Sequence, residues 1–174
     1  MLIPWYSLKS IDFLSEKDFS QKNILEFGAG QSTLWWAERC KKIISFEPNQ
    51  GWYRKLKKEK EKYKNLEIYL AKKLIINEEY IKDQLFDVII IDGLDRIKCA
   101  QIAFHYLNKD GLIILDDTQE KNGRHCNKEL FNLLKKNKFQ RIDFCDFDSN
   151  QINIKTTSFF FKNSCFLETN TNTS

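Results

Sequence analysis

Short apolar runs alternate with longer amphipathic stretches along most of this chain. The short runs are residues 23–27, 42–46, 66–70, 86–91 and 111–115. Each is too brief for a stable helix and rich in Ile, Val or Phe, which predicts strands. The fourth and fifth, ending at Asp92-Gly93 and Asp116-Asp117, are almost continuously apolar, so they should be central strands covered on both faces. Helical spacing predicts helices over residues 33–41, 52–63, 77–84, 96–107 and 127–137, with a short one over 8–19 ahead of the first strand. Asn49 and Asn127 suit the N-caps of two of them. Alternation of this kind builds a parallel sheet with helices on its faces. The C-terminal part departs from it. Residues 139–147 and 156–162 read as two strands joined by the turn sequence Asp148-Ser149-Asn150-Gln151, an antiparallel hairpin closing one sheet edge. Residues 168–174 are polar and read as a frayed tail.

Length adds that 174 residues make one domain. With 42% apolar and 14% aromatic residues the chain is not disordered. No apolar run approaches the ~18–20 residues needed to cross a bilayer, so no membrane association is expected. No basic-then-apolar leader is recognisable at Met1-Leu2-Ile3-Pro4-Trp5, and a cytoplasmic location is expected. A net charge of +4 is too small to point to nucleic acid, and the basic run 54–64 is broken by Glu59 and Glu61, as on a solvated helix face. Five cysteines (Cys40, Cys99, Cys126, Cys145, Cys165) are scattered without a C-x-x-C pair, which predicts free buried thiols in a reducing compartment.

The candidate chemistry lies in the first strand-to-helix loop, Glu26-Phe27-Gly28-Ala29-Gly30-Gln31-Ser32-Thr33. Two glycines allow a sharp turn and close approach of a ligand, and Ser32 or Thr33 can cap the following helix. Glu47 ends the next strand about 20 residues past Gly28, the spacing at which a carboxylate accepts from ribose hydroxyls. The pair points to a nucleoside ligand. A dinucleotide fingerprint wants a third glycine where Thr33 stands, and no P-loop sequence occurs. Glu26, close to the loop, suits a cationic ligand better than a pyrophosphate.

Residues 24–30 with Ser32-Thr33, Glu47 after the second strand, 86–93, and 111–117 together resemble the class I S-adenosylmethionine-dependent methyltransferases, over about residues 20–163. The resemblance implies an α/β, Rossmann-like fold with a seven-stranded, mostly parallel sheet of order 3-2-1-4-5-7-6, strand 7 antiparallel, and helices on both faces. It implies S-adenosylmethionine as cofactor. Gly28, Ala29 and Gly30 would line its methionine and ribose, Glu26 would orient its amino end, and Ser32 and Thr33 would lie near its carboxylate. Glu47 would hold the ribose hydroxyls, Pro48 would flank the adenine edge, and Asp92 would contact the cofactor. Ala71-Lys72-Lys73 stand where the family often has an acid facing adenine. On this reading residues 1–20 form a helical extension, 21–164 the methyltransferase domain and 165–174 a tail.

Asp92, Asp116 and Asp117 fall at strand ends, where open α/β sheets bind ligands. They are similar to the metal site of the catechol O-methyltransferase type, so a divalent metal is an alternative to the preferred reading of helix caps and cofactor contact. Asp92, Asp116 and the loop residue His125 are the catalytic candidates, His125 as a general base. Arg96 suits either an ion pair with Asp95 or an acidic substrate, and Trp5 and Trp52 are candidates to cover the site. The expected activity is methyl transfer to a hydroxyl or carboxyl of a small molecule or glycan, with nucleic acid disfavoured. A nicotinamide-dependent oxidoreductase and a non-catalytic binding module remain as alternatives.

Overall fold

The computed structural model describes residues 3–71, 76–93, 95–119, 126–163 and 165–168. Twelve helices and strands follow in chain order. They are α1 (Leu8–Ser15), β1 (Asn23–Phe27), α2 (Gln31–Ala37), β2 (Lys42–Glu47), α3 (Gln50–Glu59), β3 (Leu66–Leu70), β4 (Phe86–Ile91), α4 (Arg96–Tyr106), β5 (Leu107–Leu115), α5 (Cys126–Lys136), β6 (Gln140–Phe147) and β7 (Ile154–Phe161). The strands form one sheet of order β3-β2-β1-β4-β5-β7-β6. β1 to β5 are parallel neighbours, and β7 runs antiparallel to both β5 and β6. This is the expected α/β arrangement, strand order included. None of the described helices is long and apolar enough to cross a membrane.

Side-chain alternation splits the core into two layers. Ile24, Ile43, Val88, Ile90, Leu112 and Ile114 face one side, where Tyr6, Leu14, Trp35, Trp36 and Leu56 cover them. Leu25, Ile44, Ile89, Ile91, Ile113 and Leu115 face the other, against Ala100, Ala103, Leu130 and Leu134. Trp35 and Trp36 are both buried, with ring centroids 4.7 Å apart at nearly right angles, and Trp36 Nε1 donates to the Tyr6 hydroxyl at 3.2 Å. Consecutive helical residues bury together here because the N-terminal segment wraps the outer side of α2.

Several boundaries differ from the sequence reading. The helix expected over 77–84 is a single 3-10 turn, Glu78–Tyr80, capped by Asn77 and followed by Asp83 in the left-handed region. α2 stops at Ala37, where Asn65 Nδ2 donates to the carbonyls of Ala37 and Cys40. β5 starts at Leu107, directly after α4, rather than at Gly111. Asn49 does cap α3, accepting from the amides of Gly51 and Trp52. Asn127 does not cap α5; it lies one residue inside that helix. Cys40, Cys99 and Cys165 are buried as expected, but Cys145 is exposed.

One polar cluster fixes the end of the sheet. Glu26 on β1 is fully buried, and alternation aims it toward α2 alongside Ser45, its register partner on β2. Its Oε1 accepts from Ser32 at 2.6 Å, and its Oε2 accepts from Thr33 at 2.6 Å and Ser45 at 2.7 Å. Thr33 in turn accepts from the Gly30 amide at 2.9 Å, so the loop is braced from below. Burial raises the Glu26 pKa from 4.5 to about 7 against the lowering effect of the three hydroxyls.

A carboxyl whose proton affinity is higher folded than unfolded stabilises the native state at low pH and loses that contribution as pH rises through its folded pKa. Between about pH 5 and 8 the Glu26 contribution should therefore fall by about 3 kcal/mol. Urea unfolding of Glu26→Gln and wild type across that range should show the variant gaining on wild type as pH rises. Glu26→Ala, which orphans three buried hydroxyls, should lose about 2–4 kcal/mol at pH 6.

Candidate functional site

The carboxyl ends of the central strands open into a cleft of about 580 Å³, within the roughly 300–1,000 Å³ of small-molecule sites. It lies where the strand order reverses, with β2 and β4 flanking β1. One part is walled by Gly28, Ala29 and Gly30, by Glu47, Pro48 and Asn49 beyond β2, and by Asp92-Gly93 beyond β4. The other part is walled by Trp5, Arg96, Asp117, Gln119 and Asn127, with Trp52 at the rim. A narrow apolar recess adjoins the first part, lined by Phe27, Phe46, Pro48, Ala71 and Ile76.

The two loop glycines serve different purposes. Gly28 has φ +99°, and a Cβ there would lie 2.7 Å from the Gly93 nitrogen, so the β1 and β4 tips pack through it. Gly30 is extended, and a Cβ there would meet nothing within 4 Å. Its missing side chain leaves open space on the cleft. The sequence reading treated both as ligand approach; only Gly30 is open in this way.

Glu47 lines the cleft at 5% exposure. Its Oε2 accepts from the Ala29 amide at 2.8 Å and its Oε1 from the Asn49 amide at 2.6 Å. Burial raises its pKa, opposed by those two amides. Each carboxylate oxygen can accept a further hydrogen bond. Glu26, Ser32 and Thr33 do not wall the cleft; they are the brace beneath it.

At the β4 and β5 tips, Asp92 lines the cleft and Asp116 is fully buried behind it. Burial, then the neighbouring Asp116, raises the Asp92 pKa well above the usual carboxylate range. Asp116 accepts from the Thr157 hydroxyl at 2.8 Å and pairs with Lys155 at 2.6 Å. Burial brings its pKa to about 6 even with that lysine beside it. Asp117 adopts φ +53°, and its Oδ1 accepts from Gln119 Nε2 at 3.1 Å. Arg96 does not pair with Asp95. Its Nη1 donates to the carbonyls of Asp116 at 2.6 Å and Asp117 at 3.2 Å, while Asp95 caps α4. Asn127 donates to the Asp117 carbonyl at 3.3 Å, and its own Oδ1 is buried without a partner.

Asp92, Asp116 and Asp117 offer oxygens within 4.8 Å of one another, a donor set of the kind hard divalent cations use. The Lys155 ammonium already occupies two of them, 2.6 Å from Asp116 and 3.5 Å from Asp117, so the cluster does not fit a metal ion as arranged. Sequence reasoning missed Lys155. On β7 the apolar Ile154 is 55% exposed and the charged Lys155 is 6% exposed, the reverse of what hydropathy indicates. The acidic doublet across the sheet was the available signal. His125, Lys72 and Lys73 lie outside the described residues.

No protein-family model matches the sequence, and no curated protein matches it significantly. Solved structures do match in shape. A precorrin-6y C5,15-methyltransferase from Geobacter metallireducens is 12% identical with a TM-score of 0.70, covering 89% of this chain and 87% of that one. An rRNA methylase from Streptococcus thermophilus is 16% identical with a TM-score of 0.65, covering 88% and 94%. An O-methyltransferase from Bacillus cereus, solved with S-adenosylhomocysteine (SAH), is 18% identical with a TM-score of 0.63, covering 79% and 73%. With its strand order and antiparallel seventh strand, this chain has the fold of the class I S-adenosylmethionine-dependent methyltransferases.

Proposed function

We propose that the protein binds S-adenosylmethionine in this cleft and transfers its methyl group to a hydroxyl or carboxyl oxygen of a small molecule or glycan. The observation that carries the reading is Glu47, which lines the cleft while holding the Ala29 amide of the glycine loop. Ribose hydroxyls donate to its remaining lone pairs, and the methionine portion runs over the open face of Gly30. Ala29 and Gly28 form the loop backbone beside it, held in place by Ser32 and Thr33 through Glu26. The adenine edge packs on Pro48, next to the apolar recess. The SAH-bound neighbour favours this ligand over a nicotinamide dinucleotide.

The cleft's charge supports the same reading. Glu47, Asp92 and Asp117 all line it, and Arg96 is engaged with carbonyls. Negative walls suit a cationic sulfonium and repel a polyanion such as nucleic acid. The transfer is an in-line displacement: the acceptor oxygen bonds the methyl carbon, and the carbon–sulfur bond breaks with its electron pair left on sulfur. The protein's contribution is to align the two reactants and exclude water. Asp92, a carboxylate on the cleft wall, receives the acceptor's proton. Asp116 supports it from behind without facing the cleft.

Calorimetric titration with SAH should show one site per chain. Glu47→Ala should weaken it by about 10- to 100-fold, the loss of hydrogen bonds to a charged acceptor. Absence of binding at millimolar ligand would refute the assignment. A glycine pair separates fold from site. Gly30→Val should leave the melting temperature near wild type and abolish SAH binding. Gly28→Ala should cost about 2 kcal/mol or more of stability, because it adds strain and a clash in the sheet.

A further inference from the structure

We propose that Lys155 is the resident cation of the acidic cluster at the β4 and β5 tips, filling the place of a divalent metal and clasping the N-terminal strap that carries Trp5 over the cleft. This goes beyond methyl transfer and does not rest on it.

Three carboxylates within 4.8 Å of one another repel strongly unless a cation lies between them. Lys155 Nζ supplies it, at 2.6 Å from Asp116 Oδ2, 3.5 Å from Asp117 Oδ1 and 3.9 Å from Asp148 Oδ2. Nζ also donates to the Trp5 carbonyl. The ammonium is thus surrounded by the Trp5 carbonyl and three carboxylates, and a cation held this way offers no open coordination position with which to polarise an acceptor hydroxyl. A dication brought into the cluster would have to displace the lysine.

The same ammonium joins the strap to the site. The Pro4 carbonyl accepts from Ser149 Oγ at 2.6 Å and the Tyr6 carbonyl from the Ser149 amide at 3.2 Å. The Ser7 amide donates at 3.0 Å to Thr157 Oγ1, the hydroxyl that itself donates to Asp116. Trp5 lies between these anchors, and its ring meets Trp52 of α3 edge-on at 5.9 Å. Both rings line the cleft. Lys155 is thus a positioning residue: it neutralises the acids and fixes the Trp5 backbone.

The test is a Mn²⁺ titration followed by electron paramagnetic resonance, on wild type, Lys155→Ala and Lys155→Met, with folding checked by circular dichroism. Wild type should bind no Mn²⁺ up to about 1 mM. Either variant should bind one ion per chain at least about tenfold more tightly, and Asp116→Asn in the same chain should abolish it. Acrylamide quenching of tryptophan fluorescence should rise in both variants but not when Trp5→Phe is added. Wild-type Mn²⁺ binding that Asp116→Asn removes would overturn the proposal, whether or not the lysine variants fold. Folded lysine variants with no new ion site, or with unchanged quenching, would overturn it as well.

Discussion

A carboxylate enclosed by three hydroxyls at the end of β1 sets the position of everything that faces the cleft. Glu26 takes hydrogen bonds from Ser45 on β2 and from Ser32 and Thr33 on α2. It joins two strands and a helix at the point where the chain leaves the sheet. Thr33 passes the restraint to the Gly30 amide, and Glu47 holds the next amide, Ala29, from the other side. The glycine loop is gripped by two carboxylates, one buried and one lining the cleft. This is why a short loop can present an open backbone face without collapsing into the space a ligand would use.

The opposite end of the cleft is built on another balance of charge. Asp116 is fully buried and Lys155 nearly so, and each is tolerable there because of the other. Arg96 ties down the carbonyls at the same strand tip. The hairpin of β6 and β7 supplies Lys155 and Asp148, and the N-terminal strap is laced to it through Ser149 and Thr157. The two ends divide the proposed work. On the proposed function, the β1 and β2 tips would hold the nucleoside end, and the β5 and β7 tips with the strap would shape the acceptor end.

Much of the scaffold was legible because burial imposes periodicity. The nearly continuous apolar runs 86–91 and 111–115 announced strands covered on both faces, and the hairpin was announced by a turn sequence without an intervening helix. Glu47 and Gly30 could be singled out because a strand-to-helix loop and the next strand tip meet in any fold of this topology. The failures have the opposite character. Asn77 to Gln84 carries helical spacing but forms only one 3-10 turn, Glu78–Tyr80, with Asp83 beyond it in the left-handed region. At Gly28 the sequence did not reveal that, besides lining the cleft, its missing side chain lets the backbone pack against Gly93.

Local pattern alone determined the strands, most of the helices and the loop that faces the cleft, since each depends on the spacing of apolar residues within a few turns of chain; the strand order came from the family resemblance. Tertiary structure decided which charges meet. Lys155 lies 39 positions beyond Asp116 and 150 beyond Trp5, yet touches both. Glu26 became a buried brace only when Ser45 and two hydroxyls of α2 closed around it. Hydropathy records the average preference of a side chain for water, whereas a buried charge is stabilised by partners that only the folded chain brings within reach.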